Sequence, residues 1–216
     1  MPDTAEKPSA VEEVNARAIR SIAESRRSVR QFRDEPVPDA DIAEMLRLTG
    51  LAPSASNVQP WRWAVVRTPD MLARLSEVMT GNNVRTVEGA PACIVLYSDG
   101  QEVLANIEQI LHPGLGEEEI AKRAGNMRRN LSTRTPEQLV NWAKTQTYIA
   151  LGQFVLVARG LGYDSVTMGG FQEEGIRELL GLSETASVTS VLAVGKRLQD
   201  GFTHHRHAVE RVSSWF

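Results

Sequence analysis

The segment PEQLVNWAKTQTYIALGQFVLVARGL, Pro136 to Leu161, decides much of what this chain can fold into. Its spacing predicts one long helix, amphipathic at first and apolar almost all round after Tyr148. Such a helix has to be covered, either by other elements of the chain or by another subunit, and both are expected here. Gln153 and Arg159 interrupt the apolar run, which therefore falls short of a membrane span.

What surrounds this helix is a mixture of helices and short strands. Val11, Val14, Ala18 and Ile22 recur at helical spacing and predict a first helix that ends near ESRRSVRQF. A second is expected to start at Asp41, with Asp41 and Glu44 as a capping box. Pro69 suits the first position of a third, PDMLARLSEVM. The strand candidates are WRWAVVR, ACIVLYSD, YDSVTMGGF (a strand into a glycine turn) and VTSVLAVGKR, with the helix QEEGIRELLGL between the last two. GNNVRTVEGAP reads as turn-rich. Regular β-α-β alternation is missing, and no Gly-x-Gly-x-x-Gly follows a strand, so the fold class is α+β rather than a dinucleotide-binding sheet. The length of 216 residues fits a single domain, residues 1–216, with a charged helical excursion at about 101–135 and a C-terminal arm at about 200–216.

Charge and cysteine content exclude several functions. A net charge of −3 argues against nucleic acid or an anionic membrane surface as partner. The single cysteine, Cys93, rules out a disulfide framework and a multi-cysteine metal site, and its apolar neighbours mark it as a small buried hydrophobe. The opening MPDTAEKPSA lacks a positive-then-apolar signal, so a cytoplasmic location is expected.

Four stretches could carry chemistry. In RRSVR, Arg26 and Arg30 share a side whether the chain is extended or is the last turn of a helix, and their planar forks suit anionic edges; the alternative is a solvated basic helix end. In MGGF, Gly169 and Gly170 would let a ligand approach the backbone, or simply make a turn. The tail holds His204, His205, Arg206 and His207 at a spacing poor for a metal, so no metal site is assigned, and it is better read with Arg206 as an anion ligand or as a solvated arm. The fourth, LAPSASNVQPWRW, is a loop that runs straight into two tryptophans, as a loop ordered against something flat and partly apolar would.

In this order and spacing, RRSVR, then APSASNVQPW, then GGF after a long apolar helix, then a basic tail, the chain resembles the FMN-dependent nitroreductase family over roughly residues 12–99 and 136–212. The resemblance implies a mostly antiparallel central sheet flanked by helices, and an intertwined homodimer with FMN at the subunit interface. It further implies that Arg26, Arg27 and Ser28 hold the FMN phosphate and ribityl chain, with His205 and Arg206 also on the phosphate. Arg30 would lie near the pyrimidine edge, where a cation stabilises the reduced flavin. Pro53, Ser54, Ala55 and Asn57 would lie along the flavin of the other subunit, which makes the isoalloxazine ring the flat object. Gly169 and Gly170 would bring backbone N–H groups to flavin N5, and Asn82 or Asn83, with Asn83 favoured, would supply an amide. Two departures stand out: Gly169 replaces a common acidic residue, and the tail has His-Arg-His where many members have Arg-Arg-Pro. The implied activity is ping-pong reduction of nitroaromatics, quinones or similar small-molecule acceptors by NAD(P)H, with flavin N5 as the reactive centre and no catalytic side chain. A narrower dehalogenation or dehydrogenation role, or flavin binding without turnover, are the alternatives.

Overall fold

The computed structural model describes residues 9–216; the first eight residues of the polar opening stretch lie outside the described residues. Its centre is helix α7, Pro136–Gly160, started by a capping box in which Thr135 and Gln138 satisfy each other's backbone N–H groups. Leu139, Ala143, Thr147, Ala150, Phe154 and Ala158 recur every three or four residues along α7 and are all buried. This stripe packs on a four-stranded sheet made of β1 (Trp61–Val66), β2 (Ala92–Asp99), β3 (Asp164–Met168) and β4 (Ala186–Gly195), in the order β1-β2-β4-β3. Every pairing is antiparallel, which makes the fold α+β.

Alternation along the strands divides the interior in two. Ile94, Leu96, Leu192 and Val194 face α7 and α2 (Asp39–Thr49), and Trp63 stacks on Phe154 with ring centres 5.7 Å apart. Cys93, Val95, Val191 and Ala193 face α3 (Pro69–Glu77), α4 (Asn83–Glu88) and α8 (Glu173–Leu180). Both faces of the sheet are covered, which is why ACIVLYSD and VTSVLAVGKR read as continuous apolar runs. Cys93 is fully buried, and burial pushes its thiol up to about 12.

Two helices differ from the sequence expectation. α2 begins at Asp39 with Pro38 as its N-cap and no side-chain cap, so Asp41 and Glu44 do not form the expected box. Asp41 instead accepts a hydrogen bond from the hydroxyl of Tyr163, and Glu44 pairs with Arg47 at 2.7 Å. The stretch expected to be turn-rich contains the six-residue helix α4, closed at Gly89.

Beyond β2 the chain makes α5 (Gly100–Ala105) and α6 (Glu117–Leu131), which enclose a small core of Ile107, Ala124 and Leu131 seated on Leu139 of α7. At the other end of the molecule, α1 (Ala10–Ser25) buries none of its residues. Past β4 the chain runs to one helical turn, α9 (Val209–Val212), and leaves Phe202, Trp215 and Phe216 almost fully exposed.

Tyr163 closes the turn after α7 with its ring buried, its hydroxyl on Asp41 and the Lys196 ammonium 3.8 Å above the ring centre. Burial first, and the Asp41 carboxylate second, push its phenol up to about 12. The folded state therefore holds this proton more tightly than the unfolded chain, whose tyrosines titrate near ~10. The contribution to stability is complete below that value and is lost as pH rises through about 12. Denaturant midpoints across this alkaline range should fall more steeply for the native sequence than for Tyr163→Phe; parallel slopes would remove Tyr163 from the explanation.

Candidate functional site

Helix α1 stops where the Arg26 N–H bonds back to the Ile22 carbonyl, and Arg26 itself is extended, with φ −64° and ψ 132°. Of the two geometries open to RRSVR, the structure takes the extended one. Ser28 bridges Ser165 on β3 in parallel, and the Val29 N–H donates to the Ser165 carbonyl at 3.2 Å. Val29 is fully buried while Arg30 is exposed, so the core residue pins the strand and the arginines stay free to meet a ligand.

The C-terminal arm crosses this strand. Its crossing point is Gly201, where an added Cβ would come within 2.6 Å of the Ser28 carbonyl oxygen. Three residues on, His204 Nε2 lies 2.6 Å from the Arg26 carbonyl and 3.2 and 3.4 Å from guanidinium nitrogens of Arg27 and Arg26. If Nε2 carries its proton and donates to the carbonyl, Arg26 Nη2 faces it without an acceptor, while Arg27 Nη1 is held by the Glu24 and Arg26 carbonyls; neither guanidinium has an anionic partner there, which an anion would supply. Burial lowers the Arg26 guanidinium below its ordinary value, and the nearby charges of Arg206 and Arg27 lower it further. None of Arg26, Arg27, Arg30 and Arg206 forms an ion pair among the described residues. His205 is exposed, and its carbonyl accepts from Arg206 Nη1 at 2.8 Å, while the ring that reaches the arginines belongs to His204.

The glycine turn after β3 is the second cluster. The Gly170 carbonyl accepts from the Thr80 N–H at 3.0 Å and from Asn83 Nδ2 at 3.1 Å. A Cβ on Gly170 would sit 2.6 Å from Thr80 Oγ1 and 2.7 Å from Asn83 Nδ2, so this position has no room for a side chain. A Cβ on Gly169 would meet nothing within 4 Å. Of the two asparagines considered, Asn83 is the one whose side chain reaches the glycines.

The third cluster is the loop Pro53, Ser54, Ala55, Ser56, Asn57. Ser56, Asn57 and Gln59 all have positive φ, at 51°, 59° and 42°. Left-handed non-glycine residues cost on the order of 1–3 kcal/mol each unless their surroundings impose them. Here the Ala55 N–H donates to Gln146 Oε1 at 2.9 Å, Asn57 Nδ2 donates to the Ile110 carbonyl at 2.9 Å, and the Gln59 N–H donates to Ser54 Oγ at 3.0 Å. The loop is thus fastened to α7 and to the excursion. Among the described residues, no hydrogen bond joins it to the arginines or to the glycine turn of the same chain.

Sequence reasoning missed Gly201 and Gln146, and named His204 only as part of a tail with spacing poor for a metal. Gln146 sits within the polar run Lys144–Thr147, where nothing in the sequence singles it out. For Gly201 and His204 the signal lies in the fold of the arm. Among the described residues, no group of three or more histidine, cysteine, aspartate or glutamate residues gathers as a metal site, and no helix is long and apolar enough to cross a membrane.

A model of the nitroreductase family matches residues 23–196. An NADH dehydrogenase of Thermus thermophilus is 37% identical over 196 residues, covering 91% of this chain and 95% of its own length. A CLA biosynthesis enone reductase of Lactiplantibacillus plantarum is 28% identical over 182 residues, with 82% of this chain and 84% of its own length covered. A protein of Exiguobacterium sibiricum, solved in complex with FMN, has a TM-score of 0.82 and 25% identity, over 92% of this chain and 97% of that one.

Proposed function

The chain belongs to the nitroreductase family, and from that premise we propose that it is an FMN-dependent oxidoreductase. It takes reducing equivalents from NADH or NADPH and delivers them to nitroaromatics, quinones or similar electron-poor small molecules. The observation that carries this reading is the cluster of Arg26, Arg27 and Arg206 around His204, cationic and without a carboxylate partner. A phosphate group would supply the missing charge and acceptors there. Bound FMN supplies the centre that accepts and donates hydride.

The chain's own residues divide the remaining work. Ser28 and Arg30 stand on the extended strand beside the cluster, with Arg30 available to a ligand's anionic edge. Gly169 leaves open space for a flat ring, and Gly170 keeps the turn drawn in against Thr80 and Asn83. His205 stands beside this group and is assigned to the phosphate less directly than His204.

The loop at Pro53–Asn57 serves the site of a second copy, because its contacts within one chain lead to α7 and the excursion. Several exposed features support an intertwined homodimer. β1 is an edge strand with Val65 exposed, beside an apolar cleft of about 530 Å³ lined by Ile42, Leu46 and Met71. The arm, with Phe202, Trp215 and Phe216 uncovered, is the segment that would cross to the partner. The excursion at about 101–135, tied to Asn57, would cover the acceptor side of the pocket.

The test is an absorption spectrum of the purified protein, then anaerobic addition of NADH and of NADPH. A flavin spectrum that bleaches on mixing and recovers with a nitroaromatic is the expected result. A protein that stays colourless and takes up no added FMN would sink the proposal, and one that keeps its flavin oxidised with both nucleotides would restrict it to binding without turnover.

A further inference from the structure

Between the loop and α6 lies a pocket of about 380 Å³. Ala55 and Met127 give it apolar walls, and the amides of Asn126 and Asn130 face it from successive turns of α6. Its charged feature is Arg134, whose guanidinium carbon stands 5.4 Å from the ring centre of Trp142. Arg134 Nη1 is held by the carbonyl and the side-chain oxygen of Asn130, at 3.1 and 3.2 Å. Its Nε and Nη2 edge has no acceptor among the described residues. No aspartate or glutamate lines the pocket, and Glu108 of the excursion is engaged by Arg128 through two contacts of 2.9 Å.

A guanidinium held over an indole face and by two hydrogen bonds has little further freedom to lose on binding. Its open edge matches a carboxylate fork, and the adjoining apolar wall matches an aromatic ring. We propose that this pocket selects acceptors that carry a carboxylate on an aromatic ring, with Arg134 as the residue that recognises the anion and Trp142 as its positioning residue. The inference rests on the oxidoreductase reading above for the word acceptor, and on the pocket alone for the binding.

Equilibrium binding of benzoate and benzamide to the FMN-loaded protein, by calorimetry, tests it without turnover. Benzoate should bind about tenfold more tightly than its neutral isostere, the usual scale of one charge-assisted contact. Arg134→Gln should abolish that preference, Arg134→Lys should keep part of it, and Arg123→Gln, a charge removed elsewhere on α6, should leave it unchanged. The kcat/KM values for 4-nitrobenzoate and 4-nitrobenzamide should show the same ratio. Equal affinities in the native sequence, or a preference that survives Arg134→Gln, overturn the inference even when both acceptors are reduced. An Arg134-dependent preference without any reduction would uphold the pocket and refute the oxidoreductase reading instead.

Discussion

Replacing Asp164 with alanine should cost the fold about 3 kcal/mol, near the low end for removing one partner of a buried charge cluster. Its side chain is only 3% exposed. Arg197 grips both carboxylate oxygens, Nη2 to Oδ1 at 2.6 Å and Nε to Oδ2 at 2.7 Å, and Arg159 adds a contact at 3.4 Å. Alanine would leave Arg159 without its counter-charge and Arg197 with only the exposed Asp200 as partner. Each arginine is about a quarter exposed, so water relieves part of that cost, which is the reason for choosing the low end. The effect should also reach the arginine strand. Arg159 bonds Ser25 at the end of α1, the Arg197 carbonyl accepts from Arg33 Nε, and the next residue of β3, Ser165, accepts from Val29. The Asp164 cluster therefore clamps both ends of the segment that carries Arg26, Arg27, Ser28 and Arg30. Urea unfolding measures the first effect and FMN titration the second; a loss below about 1 kcal/mol would mean that solvent already satisfies the arginines.

How much of this was legible in the sequence depends on the range of the interaction. α7 and the edges of β2 could be read almost to the residue, because Pro136 and a continuous apolar run are local signals that tertiary packing reinforces. α4 could not, because Asn82, Asn83 and Gly89 at its ends mark turns as strongly as they mark helix termini, and only burial of Thr86 and Val87 decides between them. Asp41 had the right residue type and spacing for a cap, but Tyr163, far away in the chain, took its carboxylate. The candidate site divides in the same way. The arginine strand, the loop and the glycine turn were visible as residue types in order. Asn83, not Asn82, reaches the glycine turn, and it does so by donating to the Gly170 carbonyl, a contact between distant segments. His204 rather than His205 on the arginines is set by where the arm crosses Ser28, a fact about two segments that no local pattern carries.

That crossing makes Gly201→Ala the sharpest probe of the arm. The new Cβ would meet the Ser28 carbonyl oxygen at 2.6 Å, its carbon at 3.1 Å and Arg27 Cβ at 3.2 Å. All three belong to the backbone or its first side-chain atom, so no flexible tip can swing aside, and the Ser28 strand is itself anchored to β3. The arm has to move. His204 and Arg206 move with it, and the cationic cluster loses members on the side opposite Arg26 and Arg27. Overpacking of this kind costs about 1–3 kcal/mol, which should appear as a roughly fivefold to 150-fold loss of FMN affinity. Global stability should change by less than about 1 kcal/mol, because the arm beyond Gly201 is exposed and contributes little to the core. This separates the variant from Asp164→Ala, where stability and affinity should fall together. Gly125→Ala on α6 is the matched control, since its Cβ meets only the Arg129 side chain at 3.6 Å, an ordinary contact, and FMN should be retained. Native-like FMN affinity in Gly201→Ala would show that the arm does not complete the anion site, leaving Arg26 and Arg27 to hold the phosphate alone.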